Sequence, residues 1–172
     1  TSLIPTFGAE ATRQADAVDD LALSESLSEG TIIVDVAVEP NHPSTILNAG
    51  IVRLDGATNN DFVVILARTA KVDKLTAYTS KNGVGVTAPE PDTFAPDGVT
   101  FNKIGLSWRV GLNAFAIDGT AYLMDNDSTN PDSVDTLVMS NIPSAINGVF
   151  IYRSLKVSKY PASESSLQNR TT

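Results

Sequence analysis

The stretch that decides the fold is "NKIGLSWRVGLNAFAIDGT", residues Asn102–Thr120. Its first half alternates. Ile104, Leu106, Trp108 and Val110 fall on one face of an extended chain, and Lys103, Ser107 and Arg109 on the other. "RVG" reads as a turn, "LNAFAI" as a second strand, and "IDGT" as a turn into a third short strand. A period of two with punctuated ends predicts a β-meander with one buried face. The stretch also holds the only Trp of the chain. Aromatic platforms often serve sugars, but Trp108 is in phase with Ile104 and Leu106, which assigns it to the core.

The same period runs outward in both directions. "TIIVDVAVE" (Thr31–Glu39) sets Ile32, Val34, Val36 and Val38 on one face, with Asp35 and Glu39 on the other. "DFVVILAR" is unbroken and rich in β-branched residues, as expected of a strand covered on both sides. "KLTAYTS" alternates and then meets "KNG", a hairpin signal. The Gly- and Pro-rich segment Asn82–Gly98 reads as a long surface loop, and Asp125–Asp135 as a polar, acidic one. "TLVMS" is a short strand. In "INGVFIYRSLKVSKY", Val149, Ile151, Leu155 and Val157 are in phase and Arg153 breaks the alternation. Ser163 is placed to cap a short C-terminal helix. About ten short strands with no long amphipathic helix predict an all-β, two-sheet antiparallel sandwich. No composition break divides residues 1–172, so a single domain is expected.

Composition narrows the function. The chain has 172 residues, 42% of them hydrophobic, which suits a globular domain with a sizeable core. Its longest apolar run, Phe62–Ala67, is strand-sized and far short of the roughly 18 residues of a spanning helix. The formal charge is −8, with 12 basic residues scattered along the chain. Binding nucleic acid or anionic lipid needs clustered Lys and Arg, so neither is an expected partner, and no membrane insertion is expected. With no Cys there is no disulfide, thiolate metal site or cysteine nucleophile. The chain does not begin with Met, so a trimmed domain or processed product is expected.

Three segments in order carry a resemblance. The first is "ATRQADAVDDLAL" followed by "SEGTIIVDVAV", through Arg13, Ala15, Asp16, Gly30 and Thr31. The second is the opening meander, through Lys103, Ile104, Leu106, Trp108, Asp118, Gly119 and Thr120. The third is the end of the chain, through Tyr160, Pro161, Ser163 and Leu167, with Ser166 standing where an acidic residue is usual. Together they resemble the laminin G/concanavalin A-like jelly-roll domains of phage tail-fibre and tailspike proteins. The resemblance implies a jelly-roll sandwich with a short C-terminal helix. It also implies an adhesive or structural, non-enzymatic role on a tail fibre, spike or capsid fibre, outside the cell. Host-surface glycan, other virion proteins and further copies of the same chain are the implied partners.

The polar side chains are weighed against that setting. Asp125, Asp127, Asp132 and Asp135 offer the hard oxygens that calcium takes, but the loop lacks the Gly and terminal Glu of a helix-loop-helix site, and solvated turn formation is the competing reading. The solvated loop is the favoured reading, so no cofactor is expected, with calcium the one possibility the residues offer. Binding by loops would fall to Tyr78, Asn82, Asp125, Asn126 and Asp127; of the aromatics Tyr78 and Tyr122 are the best placed near loop tips, although a half-buried strand Tyr is the commoner case. Asp35 and Glu39 share a strand face but lack the tighter acidic cluster of sandwich glycosidases, so no catalytic residues are assigned. His42 stands alone in "EPNHPST" and reads as a turn residue. Asn126 and Asn169 fit the glycosylation tripeptide, a pattern common by chance. The expectation is glycan binding or adhesion; the alternative is a decoration or oligomerisation module without a ligand. An enzyme acting on carbohydrate ranks last.

Overall fold

The computed structural model describes residues 21–38, 49–58, 60–68, 74–88, 97–124, 130–139 and 150–172. Eleven strands and one helix lie in them: β1 Leu21–Leu27, β2 Gly30–Val38, β3 Ala49–Asp55, β4 Phe62–Arg68, β5 Lys74–Lys81, β6 Val84–Thr87, β7 Asn102–Arg109, β8 Leu112–Ile117, β9 Thr120–Leu123, β10 Val134–Val138, β11 Phe150–Ser158 and α1 Glu164–Thr171. One sheet has the order β1-β10-β3-β4-β5-β6 and the other β11-β2-β7-β8-β9. All pairings are antiparallel. This is the two-sheet sandwich that the period-two pattern predicts.

The meander Asn102–Thr120 sits at its centre. Ile104, Leu106 and Trp108 are fully buried, with Phe115 and Ile117 beside them on β8. They meet Ile51, Leu54, Val63, Ile65, Leu75 and Ala77 of the other sheet in one apolar core. Ile32, Val34, Val36 and Val38 join from β2. Burying a side chain of this size is worth about 1.5–3 kcal/mol, so the meander and β2 are the largest contributors on their side of the sandwich. Val110 departs from the expected face: it lies in the β7–β8 hairpin at 87% exposure, because the chain turns through Gly111 at φ 75°.

Three further expectations change. Residues Val84–Thr87, inside the stretch read as loop, form β6 against β5 after a two-residue turn in which Asn82 and Gly83 both have positive φ, 53° and 79°. Asp135, read as loop, lies in β10. In β11 the buried phase is not Val149–Ile151–Leu155–Val157. Ile151 is exposed, while Phe150, Tyr152, Leu155 and Val157 pack against the core. The register explains it. Tyr152 pairs with Val36 and Ser154 with Asp35, which leaves Arg153 as the extra residue of a β-bulge. Strand β4 is covered on both sides, as read: Val63, Ile65 and Ala67 face the core, and Val64 is buried on the outer face with Val138, beside Phe62, Leu66 and Tyr78.

Helix α1 begins at Ser163, whose Oγ accepts from the amide of Ser166 at 3.3 Å, the expected cap. It lies on the outer face of the five-stranded sheet. Small residues let it approach: Leu167 packs on Ala114 and Ala116, and a Cβ on Gly105 would come within 2.6 Å of the Leu167 Cδ1. Buried Thr31 fixes the link that leads into the helix. Its Oγ1 donates to the Tyr160 carbonyl at 2.8 Å and accepts from the Ala162 amide at 2.9 Å. Across the core, the Tyr152 hydroxyl donates to the Ile51 carbonyl and ties one sheet to the other.

Two substitutions test this packing. A Cβ on Gly30 would lie 2.6 Å from the Ser158 carbonyl oxygen and 2.7 Å from the Trp108 Cη2. Backbone cannot step aside as a flexible side chain can, so Gly30→Ala is expected to cost about 1–3 kcal/mol in urea unfolding. Thr31→Val leaves the buried Ala162 amide and the part-buried Tyr160 carbonyl without their partner. It is expected to cost about 1–3 kcal/mol and to speed amide hydrogen exchange in α1 before the sheets.

Candidate functional site

The bulge that keeps β11 in phase also turns Arg153 outward. Its guanidinium lies 3.8 Å from the centre of the Phe101 ring and 3.6 Å, Nη1 to Oδ2, from the Asp35 carboxylate. Asp35 is on β2, only 8% exposed, and sits opposite Ser154 on one side and Lys103 of β7 on the other. A row of alternating charge thus crosses three strands on the outer face of the sheet. These residues line a shallow, open depression of about 300 Å³, closed along one side by Asp118 of the β8–β9 turn and by Thr171 and Thr172 at the end of α1.

Each wall is held by its own contacts. Asp118, at φ 46°, accepts from the Asn102 Nδ2 at 2.7 Å and from the Lys103 amide at 2.8 Å. Its own amide donates to the Lys103 carbonyl at 3.0 Å. The Lys103 Nζ donates to the Thr172 carbonyl at 2.6 Å, and the Thr171 Oγ1 accepts from the Gly119 amide at 3.2 Å. Asp35 and Arg153 differ from these. Their separation is just beyond a hydrogen bond, so both groups keep capacity for a third polar partner. With the Arg153 side chain 62% exposed, the pair adds only about 0–1 kcal/mol to stability, so its interest lies in its preset geometry. Asp35 and Asp118 do not make an acid–base pair: Asp118 holds both oxygens on protein donors, and Asp35 faces a fixed cation.

The residues singled out from sequence lie elsewhere. Asn82 is at the β5–β6 hairpin tip, its amide donating to the Asp61 Oδ1 at 2.7 Å. Lys81, beside it, places its Nζ 2.6 Å from the Asp132 Oδ1, so Asn82 and Asp132 come to the same end of the six-stranded sheet. Asp135 stands on β10 and accepts from the Thr136 hydroxyl at 2.9 Å. Asp125, Asn126 and Asp127 lie outside the described residues, as do Glu39 and His42. Among the described residues, no three His, Cys, Asp or Glu side chains converge as metal ligands would. Tyr78 is not at a loop tip. It is half-buried in mid-strand, 5.6 Å from the Phe62 ring, and lies over Gly85, where a Cβ would meet its ring at 2.1 Å. Tyr122 packs against Phe115 and the core. Of the depression, the sequence marked only Asp35 as a weak pair member, Arg153 as a break in phase, and Lys103 and Asp118 as fold-bearing residues. A cation at a point where a strand loses its alternation was the available signal.

No protein-family model and no curated protein sequence matches the chain. Solved structures do. The carbohydrate-binding module CBM40 of the Ruminococcus gnavus IT-sialidase, bound to α2,3-sialyllactose, aligns with a TM-score of 0.59 at 14% identity over 86% of this chain and 84% of that one. The carbohydrate-binding module CBM66 from Bacillus subtilis aligns at 0.56, 14% identity, over 84% of each chain. Mouse laminin α1 domains LG4-5 align at 0.57, 15% identity, over 83% of this chain and 40% of that one. At such identities the likeness speaks to the fold alone: the sandwich is a jelly roll.

The hairpin end carries a pH dependence. The Asn82 amide, then the Thr58 hydroxyl and the Lys81 charge hold the Asp61 carboxyl below its ordinary value of 3.8. A carboxyl depressed in the folded state stabilises above that ordinary value and loses its contribution as pH falls through the folded one. Between about pH 5 and about pH 2 the melting temperature of the wild type is therefore expected to fall further than that of Asp61→Asn, measured by calorimetry.

Proposed function

We propose that this chain is a non-enzymatic, glycan-binding jelly-roll domain of a virion appendage, a tail fibre, spike or capsid fibre, working outside the cell. The observation that carries the binding reading is the depression itself: an outward Arg153, braced by Phe101, set against a nearly buried Asp35 on a rigid sheet. Protein hydroxyl-recognition sites combine a carboxylate acceptor with a fixed multi-headed donor, and here both stand on strands rather than loops. Neighbours of the same fold named as carbohydrate-binding modules support the reading. The virion setting rests on the three sequence segments that resemble tail-fibre and tailspike domains, and it brings other virion proteins and further copies of this chain as partners.

A glycan array followed by calorimetric titration of the strongest hit tests it. Arg153→Ala is expected to fold with an unchanged melting temperature and to weaken binding about ten-fold or more. Folded wild type that binds no glycan, or Arg153→Ala that binds as well as wild type, would remove the glycan reading from this site and favour a structural module.

A further inference from the structure

The class of sugar follows from the charges around the depression. We propose that it takes a neutral sugar, through two neighbouring hydroxyls that bridge Asp35 and Arg153, and that it disfavours a carboxylate-bearing one. The inference rests on the glycan reading above and narrows it.

An acidic sugar would meet cations that the protein already engages, beside carboxylates that repel it. Lys103 already donates to the Thr172 carbonyl, and one face of the Arg153 guanidinium is laid on the Phe101 ring. One terminal nitrogen of Arg153 faces Asp35 at 3.6 Å, and Asp118 stands on the opposite wall. An incoming carboxylate would approach two fixed carboxylates along with the two cations, in a chain whose formal charge is −8. A neutral diol meets no such penalty. One hydroxyl donates to Asp35 and accepts from Arg153; its neighbour accepts a second guanidinium N–H. The 3.6 Å gap between the Arg153 Nη1 and the Asp35 Oδ2 leaves both groups able to make these bonds without first breaking a tight pair. The Phe101 ring, covered by Arg153, offers little stacking surface, so hydrogen bonds rather than an aromatic platform carry the contact.

The test titrates folded wild type with matched ligands, lactose against 3′-sialyllactose and the neutral and acidic members of an array, at low and high salt. Neutral ligands are expected to bind, with little salt dependence, and Asp35→Asn to weaken them about ten-fold by removing the charged acceptor. Preference for the acidic members, strengthened by Asp35→Asn and weakened by salt, would overturn this proposal while leaving the glycan reading intact. Failure of every neutral and acidic glycan would sink both. If Asp35→Asn does not fold, Arg153→Lys carries the comparison. Loss of the planar fork is expected to weaken neutral ligands about ten-fold, and an undiminished affinity would overturn the proposal.

Discussion

Strand β11 has to bury Phe150 and Tyr152 at one end and Leu155 and Val157 at the other. Strict alternation cannot do both, since the first pair and the second lie on opposite faces of a regular strand. One extra residue, Arg153, resolves the conflict, and much else follows from it. The inward side chains stay against β2 and the core. The Tyr152 hydroxyl stays in reach of the opposite sheet. The inserted residue has no inward role and is driven to the outer face, over Asp35 and Phe101. A long cation on a bulge is also an unwelcoming edge for another strand, which protects a strand that has only one neighbour among the described residues.

The outer face of that sheet is divided between packing and solvent. Where its side chains are small, at Gly105, Ala114 and Ala116, the helix lies directly on the strands. Where they are charged, at Asp35 and Lys103, the helix has already ended and its last residues become a wall. The boundary is set by sequence on the strands, and the Thr31 clamp aligns the helix with it. A recessed polar surface is thus obtained without a deep cavity, from two kinds of neighbour on one pleated face.

Most of the fold was legible because burial writes itself into a period of two. Ile32 to Val38, Ile104 to Trp108 and the Ser163 cap all fall where their pattern puts them. What the pattern could not convey was where alternation stops. Val110 continues the arithmetic of β7 but sits past the last strand residue, and Val84–Thr87 is too short and Gly-interrupted to stand out from a loop. The candidate site was less legible still. Its parts come from β2, β7, the β8–β9 turn, β11 and the helix end, far apart in the chain, and each had a sufficient local explanation. Polar composition drew attention to Asn82 and the 125–135 segment, whereas the recessed charges stand on strands, where turn chemistry gives no warning.

The burial of Trp108 has an optical consequence. It is the single indole of the protein, is fully buried, and its N–H finds no hydrogen-bond partner among the described residues. Its surroundings are apolar and lie on the opposite side of β7 from Lys103 and the depression. Its emission should therefore sit at the blue end of the tryptophan range and shift red only when the sandwich opens. The fluorophore reports on the integrity of the core and is blind to what occupies the outer face.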